Sequence, residues 1–381
     1  MDRKAEEEPI AELMAIRFRQ GIVALHAQAG LDLGDPAVDY RWARLSSLVR
    51  RVHLREPDRH ERSYWRRRQR REAPVRRTRS RLGICGTRPS VTAMSQNPRY
   101  AIGVPNVGPF GDPSLLVNMA VAAEEHGWDG FFVWDHLLWW DPGWHVADPV
   151  VVIAAVAART ARIRNGILVN VLARRRAGKV AREAVTLDRL SRGRLVFGAG
   201  LGSLEEEFTA FGEPGGATER AARLDESLDL KDALWTGEPV TFHGEHLTAT
   251  DVTMLPRPVQ RPRIPVWCGG RWPVKAPFRR AARWDGVMPT HSGYGLGQTM
   301  PPDDLRAVIR YTREHRTAAG PFDVALEGRT DGAAPDRGGR HVARYAGAGL
   351  TWWIEALGWW RGTPADALAR IRRGPPVLPP G

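Results

Sequence analysis

Residues 127–140 read GWDGFFVWDHLLWW. Gly127 closes a helical stretch, and residues 130–134 form a short apolar run with a polar and aromatic cluster directly behind it. The run is too short for a helix and fits a buried strand. Asp135, His136, Trp139 and Trp140 therefore arrive together where that strand ends. A side chain that titrates near neutrality, set beside large flat rings, suits a planar redox cofactor.

Outward from this stretch, strands and helices alternate. Ala101–Val104 is a short apolar strand, followed by the loop PNVGPFGDP and a helix from Ser114 to Gly127, with Ser114 as its expected cap. After Gly130–Trp134 come helix Ala147–Thr160, strand Ile163–Val171, helix Arg174–Leu190, strand Leu195–Leu201 and helix Glu219–Trp235. Residues 238–263 interrupt the rhythm as an inserted hairpin and a proline-studded loop. The alternation resumes with strand Ile264–Cys268, helix Val274–Arg283, strand Gly286–Met288, helix Pro302–Ala319, strand Phe322–Glu327, helix Arg337–Ala348, strand Thr351–Ala356 and helix Thr363–Arg373. Eight such pairs predict an α/β chain folded as a (β/α)8 TIM barrel, with an insertion after strand 4. The competing architecture, a doubly wound open sheet, calls for a glycine fingerprint at its first strand–helix turn, and PNVGPFGDP is not one. In the barrel reading, the 135–140 cluster lies at the strands' C-terminal mouth, where such folds place their chemistry.

The formal net charge of +13 is unevenly spread, with about +9 in residues 1–93. Most of it lies in Arg50–Arg81, an arginine block without apolar periodicity that is expected to be disordered or loosely helical. Residues 1–93 read as a basic extension, either translated sequence upstream of a true start at Met94 or a segment without a role; a nucleic-acid-binding arm is the alternative. The barrel is expected over 94–374 and a proline-rich tail over 375–381. Cys85 and Cys268 are far apart and support neither a disulfide framework nor a cysteine metal site, which fits the reducing cytoplasm. No apolar run is long enough to span a membrane as a helix.

Each motif has a chemical and a plain structural reading. In WDHLLWW, His136 moves a proton or polarises a ring, Asp135 orients it, and Trp140 packs on a cofactor or substrate ring. Otherwise the tryptophans fill a core. The strand-end position favours the chemical reading. In VWCGGRWP, Gly269 and Gly270 let backbone amides approach a phosphate and Arg271 adds charge; a tight strand–helix turn is equally compatible. In GAGLG, Gly200 and Gly202 leave room for a cofactor, or only for close strand packing. Glu327 and Glu355 end the seventh and eighth strands and either contact substrate or anchor arginines. HGEH, residues 243–246, reads as a hairpin turn rather than a metal site. WWIEALGWW reads as barrel wall and rim. No nucleophile elbow, Walker loop or paired-carboxylate motif is present, which leaves little basis for a hydrolase, kinase or glycosidase.

Several long segments in order resemble the luciferase-like monooxygenase superfamily of flavin- and deazaflavin-dependent barrels. They are GPFGDP, AAEEHGWDGFFVWDHL, KVAREAVTLDRLSRGRLVFGAGLG, EEEFTAFG, ERAARLDESLDLKDALWTGEPVTFHGEHL, LPRPVQRPRIPVWCGG and GLTWWIEALG. The resemblance covers about Tyr100 to Arg373. It implies FMN or coenzyme F420 at the mouth, usually a homodimer, and for flavin members a separate flavin reductase as partner. It also implies that His136 and Trp140 sit near the reactive ring, Asn170 beside the isoalloxazine, and Gly269 and Gly270 at the cofactor phosphate. Ser203 stands where the group's sugar-phosphate dehydrogenases carry an acid, which argues against that substrate. The expected function is hydride transfer to, or peroxyflavin oxygenation of, a small organic substrate in a pocket shaped by Phe110, Trp139 and Trp144. Two alternatives remain: a non-catalytic flavin-binding barrel, and a nucleic-acid-associated protein acting through the arginine block.

Overall fold

The computed structural model describes residues 97–378, so the expected extension 1–93 and the last three residues of the tail lie outside it. In chain order the strands are β1 (Arg99–Val104), β2 (Gly130–Val133), β3 (Arg164–Val171), β4 (Leu195–Gly200), β5 (Val240–His243), β6 (Thr248–Val252), β7 (Val266–Trp272), β8 (Gly286–His291), β9 (Asp323–Gly328) and β10 (Trp352–Ala356). Eight of them close into a parallel barrel in the order β1-β10-β9-β8-β7-β4-β3-β2, and β5 and β6 form a separate antiparallel hairpin. This is a (β/α)8 TIM barrel with an inserted hairpin. Residues 243–246 fall at the hairpin turn, where the Glu226 carboxylate accepts the backbone N–H groups of Glu245, His246 and Leu247.

The helices are α1 (Pro113–Glu125), α2 (Pro149–Arg159), α3 (Ala177–Leu190), α4 (Glu206–Thr209), α5 (Ala217–Trp235), α6 (Ala276–Ala281), α7 (Pro302–Glu314), α8 (Pro335–Ala346) and α9 (Pro364–Arg372). Only the one-turn α4 has no counterpart in the sequence reading. Asp112, not Ser114, caps α1: its carboxylate accepts the backbone N–H groups of Ser114 and Leu115, and Pro113 occupies the first helical position. Lys231 of α5 is buried against the barrel with its ammonium 3.6 Å from the Trp235 ring centre, and burial pushes its pKa down to about 7. Among the described residues no helix is long and apolar enough to cross a membrane.

Strand alternation divides the core in two. Outward-facing residues pack under the helices in one large cluster. Inward-facing Ala101, Phe132, Leu168, Val196, Trp267, Met288, Ala325, Trp352 and Ile354 fill the barrel's interior. Phe132, Trp267 and Trp352 touch one another at ring-centre distances of 5.4–6.2 Å. This aromatic floor closes the barrel below the level at which the strands end.

Two details of the strands reposition expected site residues. β7 runs on through Trp272, so Gly269, Gly270 and Arg271 are strand residues paired with Met288, Pro289 and Thr290 of β8, not a turn. In β3, Ile167 pairs with Phe197 but Asn170 pairs with Ala199, which leaves one extra residue on β3. Such a bulge reverses the facing of everything after it.

Candidate active site

Above the aromatic floor, the next inward positions carry little bulk. Gly103, Gly200 and Gly269 occupy β1, β4 and β7, and Val169 leans over the last two: a Cβ built on Gly200 would come within 2.1 Å of a Val169 methyl. Gly200 therefore makes room for Val169. Gly202 lies beyond β4 at φ +81°, packed against Val171 and Phe208. Val169, Gly269, Glu327 and Trp134 are all partly exposed at the C-terminal ends of a closed barrel, so solvent reaches them through the mouth.

His136 stands at this mouth, just beyond β2. Buried Asn106 clamps its backbone: the side-chain oxygen accepts the His136 N–H, and the amide donates to the carbonyls of His136 and Ala147. One side chain thus holds both ends of the 136–147 loop. The imidazole Nδ1 lies 3.1 Å from Glu207 Oε1. Glu207 is buried, accepts the backbone N–H groups of Leu137 and Leu138, and pairs at 2.7 Å with Arg174. Burial by itself pushes the Glu207 carboxyl up, but the His136 hydrogen bond and the Arg174 charge outweigh it, and the pKa lies below the ordinary carboxylate range. An ionised Glu207 accepts a hydrogen bond from Nδ1–H and leaves the imidazole's lone pair on Nε2.

Asp135 does not orient His136, contrary to expectation. Its carboxylate turns the other way, accepting the Val171 N–H at 2.9 Å and pairing with Arg174 at 3.0 Å. The orienting acid is Glu207, from α4. Its segment EEEFTAFG was among the family-like stretches, but three acids run together there and only burial singles out the third. Asn106 was likewise missed inside a loop that reads as glycine and proline.

Other expected residues are also reassigned. Asn170, turned by the bulge, donates its amide to the Gly198 carbonyl and sits in a narrow crevice against α3 instead of facing the mouth. Phe110 is fully buried in the outer core and lines no open pocket. Trp140 is the outermost ring of the aromatic cluster, 67% exposed. Glu355, opposite Glu327's neighbour Gly328 in the β9–β10 register, faces outward. There it is fully buried, accepts Thr330 and Trp353, and pairs with Arg361 at 2.7 Å. It is an anchor for arginine, whereas Glu327 faces inward, accepts the Trp134 indole N–H at 3.4 Å, and has its pKa raised by burial. Gly270 is turned toward α6, where a Cβ would meet Pro277; Gly269 faces the mouth, and Arg271 is exposed beside it.

Trp139 and Trp144 stand at the mouth in a larger aromatic cluster. Trp139 makes an edge contact with His136 at 4.8 Å, lies parallel to Trp144 at 6.2 Å, and meets Trp359 at 5.2 Å. Trp360 stacks on Trp134 at 5.4 Å. Trp359 and Trp360 belong to the stretch read as wall and rim, and the tertiary fold brings them to the site.

A curated relative from Nakamurella multipartita, F420-dependent glucose-6-phosphate dehydrogenase, is 40% identical over 205 residues, which is 53% of this chain and 58% of the relative. The protein of that name from Amycolatopsis mediterranei is 36% identical over 204 residues, 53% and 59% of the two chains. The chain thus matches somewhat over half the length of each. Among solved structures, monooxygenase RslO1 from Streptomyces bottropensis shares 25% identity at a TM-score of 0.52, with 72% of this chain and 83% of that one covered. An F420-dependent secondary alcohol dehydrogenase shares the fold at a TM-score of 0.61 with 15% identity, covering 75% and 100%. The luciferase-like monooxygenase family model matches residues 89–330, well over half of the sequence, and the chain belongs to that family.

Proposed function

We propose that this protein is an oxidoreductase that binds coenzyme F420 at the barrel mouth and moves a hydride between it and a small organic alcohol or carbonyl compound, with His136 transferring the proton. The observation that carries this reading is the His136–Glu207–Arg174 relay at the strand ends. F420 is preferred to FMN because the curated relatives described above are named for it.

The residues present fit a flat ring system with an anionic tail. Gly103 and Gly269 keep side chains out of the layer above the floor, and Trp134 and Val169 offer it apolar surface. On the β7 side, the exposed Arg271 beside the part-exposed Gly269 suits a phosphate. When bound, such a coenzyme supplies the hydride acceptor or donor. His136 Nε2 takes the hydroxyl proton of an alcohol, or returns it to a carbonyl oxygen. Glu207 holds the ring in the required tautomer and stabilises the imidazolium. Glu327, whose raised pKa keeps its proton further up the pH scale than an exposed carboxyl, is the second proton-handling group. The reading includes a cytoplasmic homodimer, and a separate reductase if FMN replaces F420; both rest on kinship.

The test is to titrate the purified chain with F420 and with FMN, following absorbance and fluorescence, then to assay alcohols, ketones and glucose 6-phosphate. Saturable F420 binding and substrate-dependent bleaching of its absorbance are expected. Binding of neither coenzyme overturns the proposal. FMN binding with oxygen consumption replaces it with a flavin monooxygenase reading.

A further inference from the structure

We propose that the aromatic side of the mouth selects an uncharged substrate bearing an aromatic ring system, held on Trp139, Trp140 and Trp359 beside His136. As a substrate assignment this rests on the reaction proposed above; as a binding site it does not.

Six of the chain's 15 tryptophans meet here, Trp134, Trp139, Trp140 and Trp144 from the segment after β2, and Trp359 and Trp360 from the segment after β10. Their rings form one connected cluster, with Trp359 bridging the two segments at 4.9 Å from Trp144 and 5.2 Å from Trp139. None is buried. Packing alone would shield an indole, as it does Trp267 and Trp352 in the floor, each 1% exposed. Instead this surface faces solvent, together with Leu137, 43% exposed. A contiguous apolar surface at an active-site mouth is the mark of a binding surface. Its place is fixed relative to the chemistry, because Trp139 touches the His136 ring.

Charge identifies the occupant. Residues 134–148 contain no lysine or arginine, and residues 357–363 only Arg361. Arg361 is committed to Glu355 and to the carbonyls of Ala356 and Thr330. Arg174, behind His136, is shared between Glu207 and Asp135. Asp141 is exposed on the same segment and disfavours an anion. The exposed Arg271 is elsewhere: in the barrel order, β7 stands three strands from β2 and three from β10, on the opposite side. The two aromatic segments themselves thus offer an anion no free lysine or arginine, and the exposed Arg176 and Arg329 follow the flanking strands β3 and β9. A neutral aromatic ring desolvates the tryptophans and leaves a polar substituent to reach His136.

Equilibrium dialysis of the full chain without coenzyme against 2-acetylnaphthalene tests this, with glucose 6-phosphate and phenyltrimethylammonium as competitors. Saturable binding is expected, weakened about ten-fold or more by W140A and by W359A, with circular dichroism unchanged in W140A because that ring is already exposed. Neither competitor should displace the probe. Absence of saturable binding, indifference to both substitutions, or displacement by either competitor overturns the assignment; displacement by the ammonium would mark a cation cage instead. Probe binding lost while F420 uptake persists sinks the substrate class and leaves the proposed reaction standing. Probe binding retained with uptake of neither coenzyme supports the aromatic site and sinks the reaction.

Discussion

The barrel floor and the barrel mouth use the same kind of residue to opposite ends. Trp267 and Trp352, with Phe132, lie inside the closed strand ring and are 1% exposed. Trp134, Trp139 and Trp359 stand where the strands have ended and are only partly covered. Within the barrel each ring finds neighbours on all sides. Past the last paired residue there are none above, so the same indole becomes available surface. Height along the strand decides whether a tryptophan fills space or meets a ligand, and residue type does not.

The comparison predicts a graded series of effects. The largest is W267A, expected to cost about 3–5 kcal/mol in urea unfolding because it opens a cavity among rings that cannot collapse. W359A should cost clearly less, and equal losses would erase the distinction between floor and mouth. H136A should lower turnover about 10²-fold or more with the fold retained; unchanged steady-state rates would remove His136 from the mechanism.

The two acids of the mouth should then separate by sign. Glu207 titrates below its ordinary value of 4.5, so its contribution to stability is present above that value and is lost as pH falls through the lower, folded one. Glu327 titrates above 4.5, so its contribution is full below that value and is lost as pH rises through the higher one. Unfolding free energies of E207Q and E327Q measured from acid to neutral pH should lack these opposite slopes; parallel profiles would break the assignment. The smallest effect is W140A, expected within about 0.5 kcal/mol of the parent because that ring is mostly in water already.

Much of the architecture was legible from periodicity. The eight strands and their helices show as apolar runs and amphipathic stretches, and the hairpin as a break in rhythm. Legibility ended where a neighbouring strand sets the facing of a side chain. The family resemblance put Asn170 beside the coenzyme ring, but one unpaired residue in β3 turns it out and Val169 in. Gly269 and Gly270 looked like a turn because glycine usually breaks strands, yet pairing with β8 carries β7 through them. Glu327 and Glu355 ended adjacent strands identically in sequence, and the β9–β10 register sent one into the mouth and the other beneath the helices.

The order and type of the elements, and the presence of a histidine among tryptophans at a strand end, were set by the sequence alone, because hydrophobic period is local. Which acid holds His136 was decided only by tertiary structure, as was the meeting of Trp359 with Trp139. Both are contacts between segments tens or hundreds of residues apart, and their geometry exists only once the barrel has closed.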